Sequence, residues 1–302
     1  MITMNSILVI VVSYNSMKWA ERCYGSLRES TLPCDILMID NGSTDGTQDF
    51  IRKNYPEVEI IETGDNLGFG KANNIGLQRV IDKKYKYAYL LNQDAWVKPD
   101  TFEKLIKASV ENPEYGILSP VQIQADEKEI DANLGVLLSK KYGCNFWNDI
   151  FFGSSSIVSE TKETMAAHWL ITRKCIETVG GFSPAFPHYG EDENYIDRAK
   201  LHGIKNGVVR NAIAIHDRSQ RKCTYNQATY RVYIMALVRL SQVVDMTFGM
   251  SEGKFLKEMI RRSFRGLTIK PCYYIYKFYS HKSQILRYKE MSRQKGAFLN
   301  PK

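Results

Sequence analysis

LLNQDAWV, residues 90–97, carries an apolar run directly into three polar side chains, the last of which is Asp94. The preceding letters YAYLL, residues 87–91, predict a buried strand. An Asp after a strand is commonly a turn former, and it can also cap a helix, although Asp100 is the better cap for the helix that follows. A third interpretation is a ligand contact, because open α/β sheets bind ligands at the carboxyl ends of parallel strands.

The first half of the chain alternates predicted strands with predicted helices. Strands are predicted at residues 7–12, 36–39, 58–61 and 87–91, and helices at residues 17–30, 47–53, 71–83 and 101–112. Such alternation is typical of an α/β fold with a mostly parallel central sheet that helices cover on both faces. We therefore predict that fold class.

The alternation stops after residue 120. Residues 121–155 predict irregular strands and loops, and then short helices and strand material follow at residues 172–179, 192–202 and 208–215. Helical spacing returns at residues 227–245 and continues through the C-terminal segment. The second half therefore predicts a less regular part of the sheet, followed by helices.

Composition and length describe a globular chain. Its 302 residues are 44% hydrophobic and 12% aromatic, which is enough to bury a full core. The six cysteines form no C-x-x-C pair, which favours reduced thiols in a cytosol over a zinc site or a disulfide framework. The apolar run at residues 7–12 is too short for a signal peptide, and no stretch approaches the ~20 apolar residues of a membrane-spanning helix. We therefore expect a cytoplasmic protein.

The positive charge is concentrated near the end of the chain. The whole sequence carries 41 Lys+Arg and 33 Asp+Glu, or +8; residues 251–302 hold 13 and 3 of these, or +10, which leaves −2 for residues 1–250. Basic residues interleaved with bulky apolar ones are typical of helices on an anionic membrane surface. A nucleic-acid partner and a solvated helical face are the alternatives. We predict a main domain at residues 1–222 and a helical, basic extension at residues 223–302.

Polar clusters follow four of the predicted strands. They are Ser13-Tyr14-Asn15, residues 40–46, residues 64–71 and Asn92-Gln93-Asp94. Each cluster alone is explained as an ordinary turn. Because parallel strands end at the same edge of a sheet, the four together predict a crevice that holds a nucleotide. The dinucleotide fingerprint and the phosphate loop both fit poorly, since Asn73 and Ala72 stand where those motifs need Gly and Ser or Thr.

Five motifs occur in the order VVSYNS (11–16), IDNGSTDGT (39–47), NLGFGKANNIG (66–76), LLNQDA (90–95) and GGFSPAFPHYGEDENYIDRAKLHG (180–203). Together they resemble the inverting family 2 glycosyltransferases of the GT-A fold, particularly members that build bacterial surface polysaccharides. The resemblance covers residues 7–216, and the motifs are specific jointly although each one is weak. It implies that a nucleoside-diphosphate sugar lies across the strand ends.

The resemblance also assigns residues to the donor. It implies that Asp40 binds the base and that the nucleoside, its phosphates and the sugar are held by Ser13, Tyr14, Asn15, Asn66, Gly68, Lys71, Asn74 and Asn92. For Asn73 and Asn74 a turn at the helix start is the alternative.

A divalent cation is implied by the same resemblance. Asn92-Gln93-Asp94 stands where the family often has Asp-x-Asp, which binds Mn²⁺ or Mg²⁺, so Asp94 is the carboxylate ligand and Asn92 at most a weak one. We expect Asp94 to be exposed at its strand end. Many members place a metal-binding His after a strand such as residues 212–215, which makes His216 the second ligand, although a lone His is more often a core or surface residue.

The base is implied to come from the Glu191-Asp192 pair. The aspartate accepts the proton of the acceptor hydroxyl as the oxygen attacks the anomeric carbon, so Asp192 is the predicted base and Glu191 the second choice. For both, the alternative is an acidic helix start that the helix dipole stabilises. Contacts to acceptor or sugar are predicted for Trp169, His188 and Tyr189, where ordinary packing is the alternative.

These observations predict an enzyme, a metal-dependent inverting hexosyl- or deoxyhexosyltransferase. It moves a sugar from a UDP- or dTDP-sugar to a hydroxyl of a glycan or a lipid-linked oligosaccharide, peripherally at the inner face of the plasma membrane. The alternative is a non-catalytic nucleotide-sugar-binding protein or a basic protein that binds membranes or nucleic acid. Nucleic acid is the partner we expect least, and a homo-oligomer stays open.

Removal of residues 251–302 is expected to leave donor binding largely unchanged.

Overall fold

The computed structural model describes residues 6–140, 144–218, 224–244, 249–266 and 268–299. Its strands are β1 (Ile7–Ser13), β2 (Asp35–Asp40), β3 (Glu59–Glu62), β4 (Tyr87–Asn92), β5 (Ala95–Val97), β6 (Tyr115–Ile123), β7 (Val158–Glu160), β8 (His168–Thr172) and β9 (Lys205–His216). Its helices are α1 (Met17–Arg28), α2 (Thr47–Asn54), α3 (Gly68–Asp82), α4 (Thr101–Glu111), α5 (Ala132–Leu137), α6 (Phe146–Phe151), α7 (Arg173–Val179), α8 (Glu191–Leu201), α9 (Tyr225–Ser241), α10 (Glu252–Gly266) and α11 (Lys270–Met291).

Across the described residues, the strands form one sheet in the order β3-β2-β1-β4-β8-β6-β9-β5, with β7 paired to β9. The four strands of the alternating first half are parallel to one another. β8 enters antiparallel between β4 and β6, and β6 and β9 are again parallel neighbours. The predicted α/β class, with a mostly parallel central sheet and flanking helices, is confirmed.

The central strand β1 divides the core into two layers. Its sequence ILVIVVS is rich in β-branched residues, which suit a strand buried on both faces. Ile7, Val9 and Val11 belong to the cluster that includes α1, α2 and α4, whereas Leu8 and Ile10 belong to the cluster that includes α3, α7 and α8. The alternation of side chains along one strand therefore holds a helix layer on each face of the sheet.

The second half contains more regular structure than its sequence pattern predicts. β8 and most of β6 are buried in the sheet, and two short helices, α5 and α6, lie within the predicted irregular segment. The predicted helix at residues 172–179 starts one residue later because Thr172 is its cap and accepts a hydrogen bond from the backbone N–H of Cys175 at 3.1 Å. Residues 208–215, the predicted strand, form part of the longer β9.

Three helices, α9, α10 and α11, make up the basic C-terminal segment, as predicted. α9 begins with a capping box in which Thr224 and Gln227 exchange hydrogen bonds of 2.8 and 3.2 Å. The predicted helix end at Asp245 and the predicted border between residues 222 and 223 lie outside the described residues. Among the residues that the structure describes, no helix is long and apolar enough to cross a membrane.

A third hydrophobic cluster attaches these helices to the segment that precedes α8. Phe255 and Met259 of α10 and Phe278 of α11 are almost completely buried in it, together with Phe186. Removal of residues 251–302 would expose this cluster, and losing one such buried aromatic side chain costs about 3–5 kcal/mol. We therefore expect removal of residues 251–302 to lower folding stability, and with it the donor binding that the sequence predicts to stay largely unchanged.

Candidate active site

The ends of β1, β2 and β4 lie side by side at one edge of the sheet. Ser13 pairs in register with Asp40, and the residue before Ser13 pairs with Asn92. The segment after β3 joins them, because the Asn41 side chain donates a hydrogen bond from Nδ2 to the carbonyl of Gly68 at 3.3 Å. The parallel register thus brings the four polar clusters of the sequence to a common edge.

The carboxylate of Asp40 holds the turn that follows β2. Its oxygens accept hydrogen bonds from the backbone N–H groups of Gly42 and Ser43 at 3.2 and 2.9 Å, from the Ser43 hydroxyl at 2.5 Å and from Nε2 of Gln48 at 2.8 Å. The side chain is fully buried. These four donors fix the shape of the turn beside the crevice, and the structure gives Asp40 a supporting position rather than a place in the cavity wall.

Tyr14 and Gln93 tie the ends of β1 and β4 together. The backbone N–H of Tyr14 donates to Gln93 Oε1 at 2.6 Å, and Gln93 Nε2 donates to the Tyr14 carbonyl at 3.2 Å. Asn15 has a positive φ of 51°, a conformation that Asn tolerates better than most residues, and its Oδ1 accepts from the backbone N–H of Thr44 at 2.8 Å. These bonds set the relative positions of three of the loops at the edge.

A cavity of about 550 Å³ opens at this edge. Ten of the residues predicted for donor, metal, base or acceptor contribute to its wall: Tyr14, Asn66, Gly68, Asn92, Asp94, His188, Tyr189, Glu191, Asp192 and His216. They come from segments up to two hundred positions apart in the chain, so the fold is what brings them together.

Gly68 is at a point where two of these segments touch. Its φ is +78°, and a Cβ atom there would lie 2.5 Å from the carbonyl oxygen of Pro187. Only glycine accepts both the left-handed backbone and that contact. The glycine of the donor motif is thus required to let the start of α3 approach the segment that precedes α8.

Six predicted residues do not line the cavity: Ser13, Asn15, Asp40, Lys71, Asn74 and Trp169. Lys71 and Asn74 line a separate cavity of about 400 Å³, which residues of α3 share with Phe298. The amide of Asn74 is engaged by the backbone of Phe182, donating from Nδ2 at 2.9 Å and accepting at Oδ1 at 2.6 Å. Asn74 therefore joins α3 to the α7–α8 segment and, in this conformation, does not reach a phosphate in the main cavity.

Trp169 is fully buried in β8. Its ring is stacked with Phe182 at a centroid distance of 6.4 Å and lies 5.9 Å from the ring of Tyr195. A side chain that is fully buried against Phe182 and Tyr195 cannot touch a bound sugar. The predicted acceptor contact of Trp169 is therefore wrong. His188 and Tyr189, by contrast, line the cavity, and their contacts to acceptor or sugar stay predictions.

Asp94 and His216 form a pair in the cavity wall. His216 Nε2 lies 3.5 Å from Asp94 Oδ1, and the antiparallel pairing of β5 with β9 sets Ala95 opposite His216. Both side chains are almost completely buried, so the expectation of an exposed Asp94 is wrong. Neither ring nitrogen of His216 has a hydrogen-bond partner among the described residues. A buried polar atom without a partner is costly, and a bound cation would satisfy one of these nitrogens.

The donor set fits a divalent cation. Carboxylate and imidazole ligands together suit Mn²⁺, and carboxylate oxygens suit Mg²⁺. Within the described ranges, no group of three or more His, Cys, Asp or Glu could hold a metal. The protein would therefore supply two ligands, Asp94 and His216, and leave the remaining positions to diphosphate oxygens or water.

His168 lies behind His216, with ring centroids 6.3 Å apart. Its Nδ1 is 2.8 Å from the hydroxyl of Tyr89, and its Nε2 is 2.9 Å from the carbonyl of Ile215. Because a carbonyl only accepts, Nε2 carries the proton and Nδ1 accepts from the hydroxyl. Burial and the neighbouring His216 lower the pKa of His168 to about 3. A neutral ring thus anchors the strand end that carries His216 without adding positive charge beside a cation.

Three acidic residues open α8 at the cavity. Asp192 Oδ1 accepts a hydrogen bond from the backbone N–H of Glu193 at 3.2 Å. Burial, together with the charge of Asp192, raises the pKa of Glu191 to about 8 and raises that of Glu193 as well. Oε2 of Glu191 is buried without a hydrogen-bond partner. The raised pKa favours the protonated form of Glu191, which is consistent with Asp192 as the predicted base of the pair.

The sequence did not single out Arg218, which also lines the cavity. It follows His216 by two residues, and its Nη1 lies 3.3 Å from Sδ of Met165, which lines the same cavity. A guanidinium group is well suited to bind a diphosphate. A single Arg in a polar loop forms no motif that a sequence pattern identifies. Only its position in the folded chain shows that Arg218 lines the cavity.

The family model described as glycosyl transferase family 2 matches residues 8–160. The chain belongs to this family. The resemblance inferred from the five motifs is thus confirmed, and the protein is a glycosyltransferase enzyme, which sets aside the alternative of a protein that only binds.

Two curated family members illustrate the similarity. The chain is 26% identical over 232 residues to the N-acetylglucosaminyl-diphospho-decaprenol L-rhamnosyltransferase of Mycobacterium tuberculosis, covering 70% of this chain and 76% of the relative. It is 23% identical over 228 residues to the dTDP-rhamnosyl transferase RfbF of Shigella flexneri, covering 74% of each.

Solved structures of glycosyltransferases share the fold. S. aureus TarS 1–349 in complex with UDP superimposes with a TM-score of 0.57 at 15% identity, covering 86% of this chain and 72% of that one, although this chain covers only 43% of the longer TarS structure. The mannosyltransferase PcManGT of Pyrobaculum calidifontis, solved with GDP-Man and Mn²⁺, gives a TM-score of 0.55 at 15% identity, covering 95% and 73%. The GT-A fold is thereby established for this chain.

Proposed function

We propose that this family 2 glycosyltransferase is metal-dependent and inverting. The observation that carries the proposal is that one cavity wall contains both the Asp94–His216 pair and the Glu191-Asp192 pair. The first pair fits a cation for the diphosphate of a donor, and the second offers a carboxylate for the proton of an acceptor. Sugar transfer needs both, because it creates charge on a leaving group while it removes a proton from a nucleophile.

Asp192 is the proposed general base. Its carboxylate takes the proton from the acceptor hydroxyl while the acceptor oxygen forms a bond to the anomeric carbon. The bond from that carbon to the diphosphate oxygen breaks, and its electron pair leaves with the nucleoside diphosphate. Because the acceptor attacks from the face opposite the leaving group, the configuration at the anomeric carbon is inverted.

The diphosphate is the proposed ligand of the Asp94 side of the cavity. Asp94 and His216 would hold Mn²⁺ or Mg²⁺, which when bound neutralises the negative charge of the leaving diphosphate. Arg218 would add a second positive charge, and Asn92 would offer a neutral hydrogen-bonding side chain next to Asp94. Tyr14, Asn66 and Gly68 would then lie along the nucleotide, since they line the same cavity.

A dTDP-deoxyhexose is the donor that we propose to test first. The names of two relatives specify rhamnosyl transfer, and one of these names specifies dTDP. UDP-sugars come second, since a structural relative was solved with UDP. The corresponding acceptor is a hydroxyl of a saccharide carried on a polyprenyl diphosphate, as in the name of the M. tuberculosis relative.

The division of labour along the chain follows from this proposal. Residues 1–222 would form the donor-binding and catalytic part, and residues 223–302 the helical extension. The protein would act peripherally at the inner face of the plasma membrane, where it would meet a lipid-linked acceptor.

Release of nucleoside diphosphate tests the proposal. The purified full chain is incubated with dTDP-L-rhamnose, UDP-N-acetylglucosamine and UDP-glucose, with and without Mn²⁺ or Mg²⁺ and with polyprenyl-diphosphate N-acetylglucosamine as acceptor. We expect acceptor-dependent release of diphosphate from one donor, abolished by chelation and restored by metal. Release that is equally fast under chelation would refute metal dependence, and a product with retained anomeric configuration would refute the inverting mechanism.

A further inference from the structure

Helices α10 and α11 form a hairpin with one buried face. Phe255 and Met259 of α10 and Phe278 and Ile285 of α11 are almost completely buried and pack in the cluster that includes Phe186. Phe186 precedes α8, the helix that carries the proposed base. The hairpin is therefore fixed to the catalytic part of the molecule through its apolar core contacts.

The opposite side of the hairpin is apolar and exposed. We call it the hairpin face: Ile260, Phe264, Ile269, Tyr273 and Tyr276. Phe264 is 79% exposed, Ile269 84% and Tyr276 71%. The two helices meet there, since Ser263 Oγ and Cys272 Sγ lie 3.5 Å apart. Helical spacing places Ile260 and Phe264 on one side of α10 and Tyr273 and Tyr276 on one side of α11, and a cluster of exposed large apolar residues indicates a binding surface.

Positive charge borders the hairpin face. Lys254, Lys257, Arg265 and Lys270 are exposed on the same helices, and none of them has a carboxylate within ion-pair distance among the described residues. The acidic residues of α10, Glu252 and Glu258, are instead engaged by other cations at 2.7 and 2.5 Å. A basic border around aromatic and aliphatic side chains complements anionic lipid headgroups over an acyl-chain boundary.

A chain of tyrosine rings links the hairpin face to the cavity. Tyr189 lines the cavity, and its ring centroid is 6.5 Å from that of Tyr230 in α9. Tyr230 is 5.7 Å from Tyr274, which is 5.4 Å from Tyr273 of the hairpin face. The Tyr230 hydroxyl also donates to the carbonyl of His188 at 2.9 Å. Three ring contacts therefore separate the exposed surface from the cavity-lining His188-Tyr189 segment.

We propose that the hairpin face docks on an anionic bilayer and that a membrane-embedded acceptor enters the cavity beside His188 and Tyr189. The inference rests on the proposed function for its acceptor, whereas the docking itself depends only on the surface. A second copy of the chain would set the uncompensated lysines and arginines that border the apolar residues against one another. Anionic lipid headgroups pair with the positive charges, while the acyl-chain boundary beneath them accepts the apolar side chains.

Sedimentation with vesicles tests the docking. The full chain is mixed with phosphatidylcholine vesicles or with vesicles that contain phosphatidylglycerol, at low and at high salt. We expect binding to the anionic vesicles only, weakened by salt because the charges are screened. The variant Phe264→Ser/Ile269→Ser/Tyr276→Ser should bind at least about tenfold more weakly, since it removes the apolar side chains that would be buried in the bilayer.

A matched control uses the other strongly exposed apolar pair, Phe151 and Phe152, which are 81% and 86% exposed. Phe151→Ser/Phe152→Ser should bind vesicles as the unaltered chain does. A second variant, Lys254→Gln/Lys257→Gln/Arg265→Gln, retains the apolar residues and should lose the preference for anionic vesicles. Loss of vesicle binding in the Phe151/Phe152 variant alone, or no binding by the unaltered chain, would overturn the proposal, as would a hairpin variant that binds anionic vesicles as the unaltered chain does.

Two activity measurements separate this inference from the proposed function. With dTDP-L-rhamnose and a short-chain, detergent-soluble polyprenyl-diphosphate N-acetylglucosamine, the hairpin variant should release diphosphate at the rate of the unaltered chain. With long-chain acceptor in anionic vesicles its rate should fall at least about tenfold. Normal vesicle binding without turnover on any donor would refute the proposed function alone, and turnover without vesicle binding would refute the docking alone.

Discussion

Nε2 of His216 lies 3.5 Å from Oδ1 of Asp94, with both side chains buried and both ring nitrogens of His216 without hydrogen-bond partners among the described residues. His216 ends β9, and Asp94 lies in the β4–β5 connection directly before β5, which pairs antiparallel with β9. The fold thus sets a carboxylate and an imidazole next to each other in the cavity wall. This pair is the feature that most directly links the fold to metal-dependent chemistry.

The first prediction concerns this pair. Asp94→Asn keeps the size of the buried side chain but removes its charge, so a divalent cation loses its strongest protein ligand. We expect metal-stimulated turnover to fall by at least about 10²-fold and the stabilisation of the protein by Mn²⁺, measured as a shift in Tm, to disappear. The control Asp126→Asn, at an exposed turn, should change neither. An Asp94→Asn variant that still gains stability and activity from Mn²⁺ would remove Asp94 from the site.

The second prediction separates the two acidic residues at the start of α8. Asp192→Asn cannot accept a proton at neutral pH, and loss of a general base typically lowers the rate by ~10²–10⁴. Glu191→Gln should cost less, because burial raises the pKa of Glu191 and so favours its protonated form, which a glutamine side chain resembles. Turnover and donor affinity are measured for both variants, and donor affinity should change little. The reverse order of the two rate losses would exchange the assigned roles.

The third prediction concerns the pH dependence of stability. Burial, and then the charge of Asp192, raises the pKa of Glu163 from its usual 4.5 to about 8, against the opposing effect of Lys200. Between those pH values the folded chain binds this proton more tightly than the unfolded chain, so the free energy of unfolding falls as pH rises. Glu163→Gln should remove this loss and raise Tm at pH 8 relative to the unaltered chain, but not at pH 5.

Glu129→Gln, at an exposed turn, is the control for the Glu163 variant. Its Tm should follow that of the unaltered chain at both pH values. At 1.36 kcal/mol per pKa unit, the shift from 4.5 to about 8 corresponds to a loss of roughly 4–5 kcal/mol across that pH range. A Glu163→Gln variant whose Tm falls at pH 8 would show that the carboxylate is ionised and stabilising in the folded protein.

The fourth prediction tests the packing of the last described residues against the α7–α8 segment. Gly180 has a φ of +86°, and a Cβ atom there would collide with the carbonyl oxygen of Ala297. Gly181 N–H donates to the same carbonyl at 2.8 Å. Gly180→Ala should therefore lower the free energy of unfolding by about 3 kcal/mol or more, through backbone strain and displacement of residues 296–299.

Gly153→Ala provides the matched comparison. Gly153 also has a positive φ, +75°, but a Cβ atom there would meet nothing within 4 Å. Its cost should be limited to the backbone strain of about 1–2 kcal/mol. Equal losses in urea denaturation of the two variants would show that the contact with Ala297 contributes nothing.

Individual site residues differ in how well the sequence predicts their position in the folded chain. The family resemblance points to Asp94 and His216, each of which follows a strand, and the structure places them side by side. The predicted acceptor contact of Trp169 is wrong, because a Trp residue looks the same in sequence whether its side chain faces a cavity or the core. Asp94 was expected to be exposed, yet β5 turns back on β9 and buries it. The base and acceptor assignments remain predictions.

The sequence by itself determined the fold class, because the period of its apolar residues and the polar clusters after strands are local properties. β1 reads as a strand buried on both faces, and the four strand-end clusters must share an edge once their strands are parallel. Tertiary structure decided what faces the cavity, since that depends on contacts between residues far apart in the chain. Packing and strand register, which no local pattern encodes, set three features. β8 is inserted between β4 and β6, Lys71 and Asn74 line a second cavity, and Arg218 lines the first.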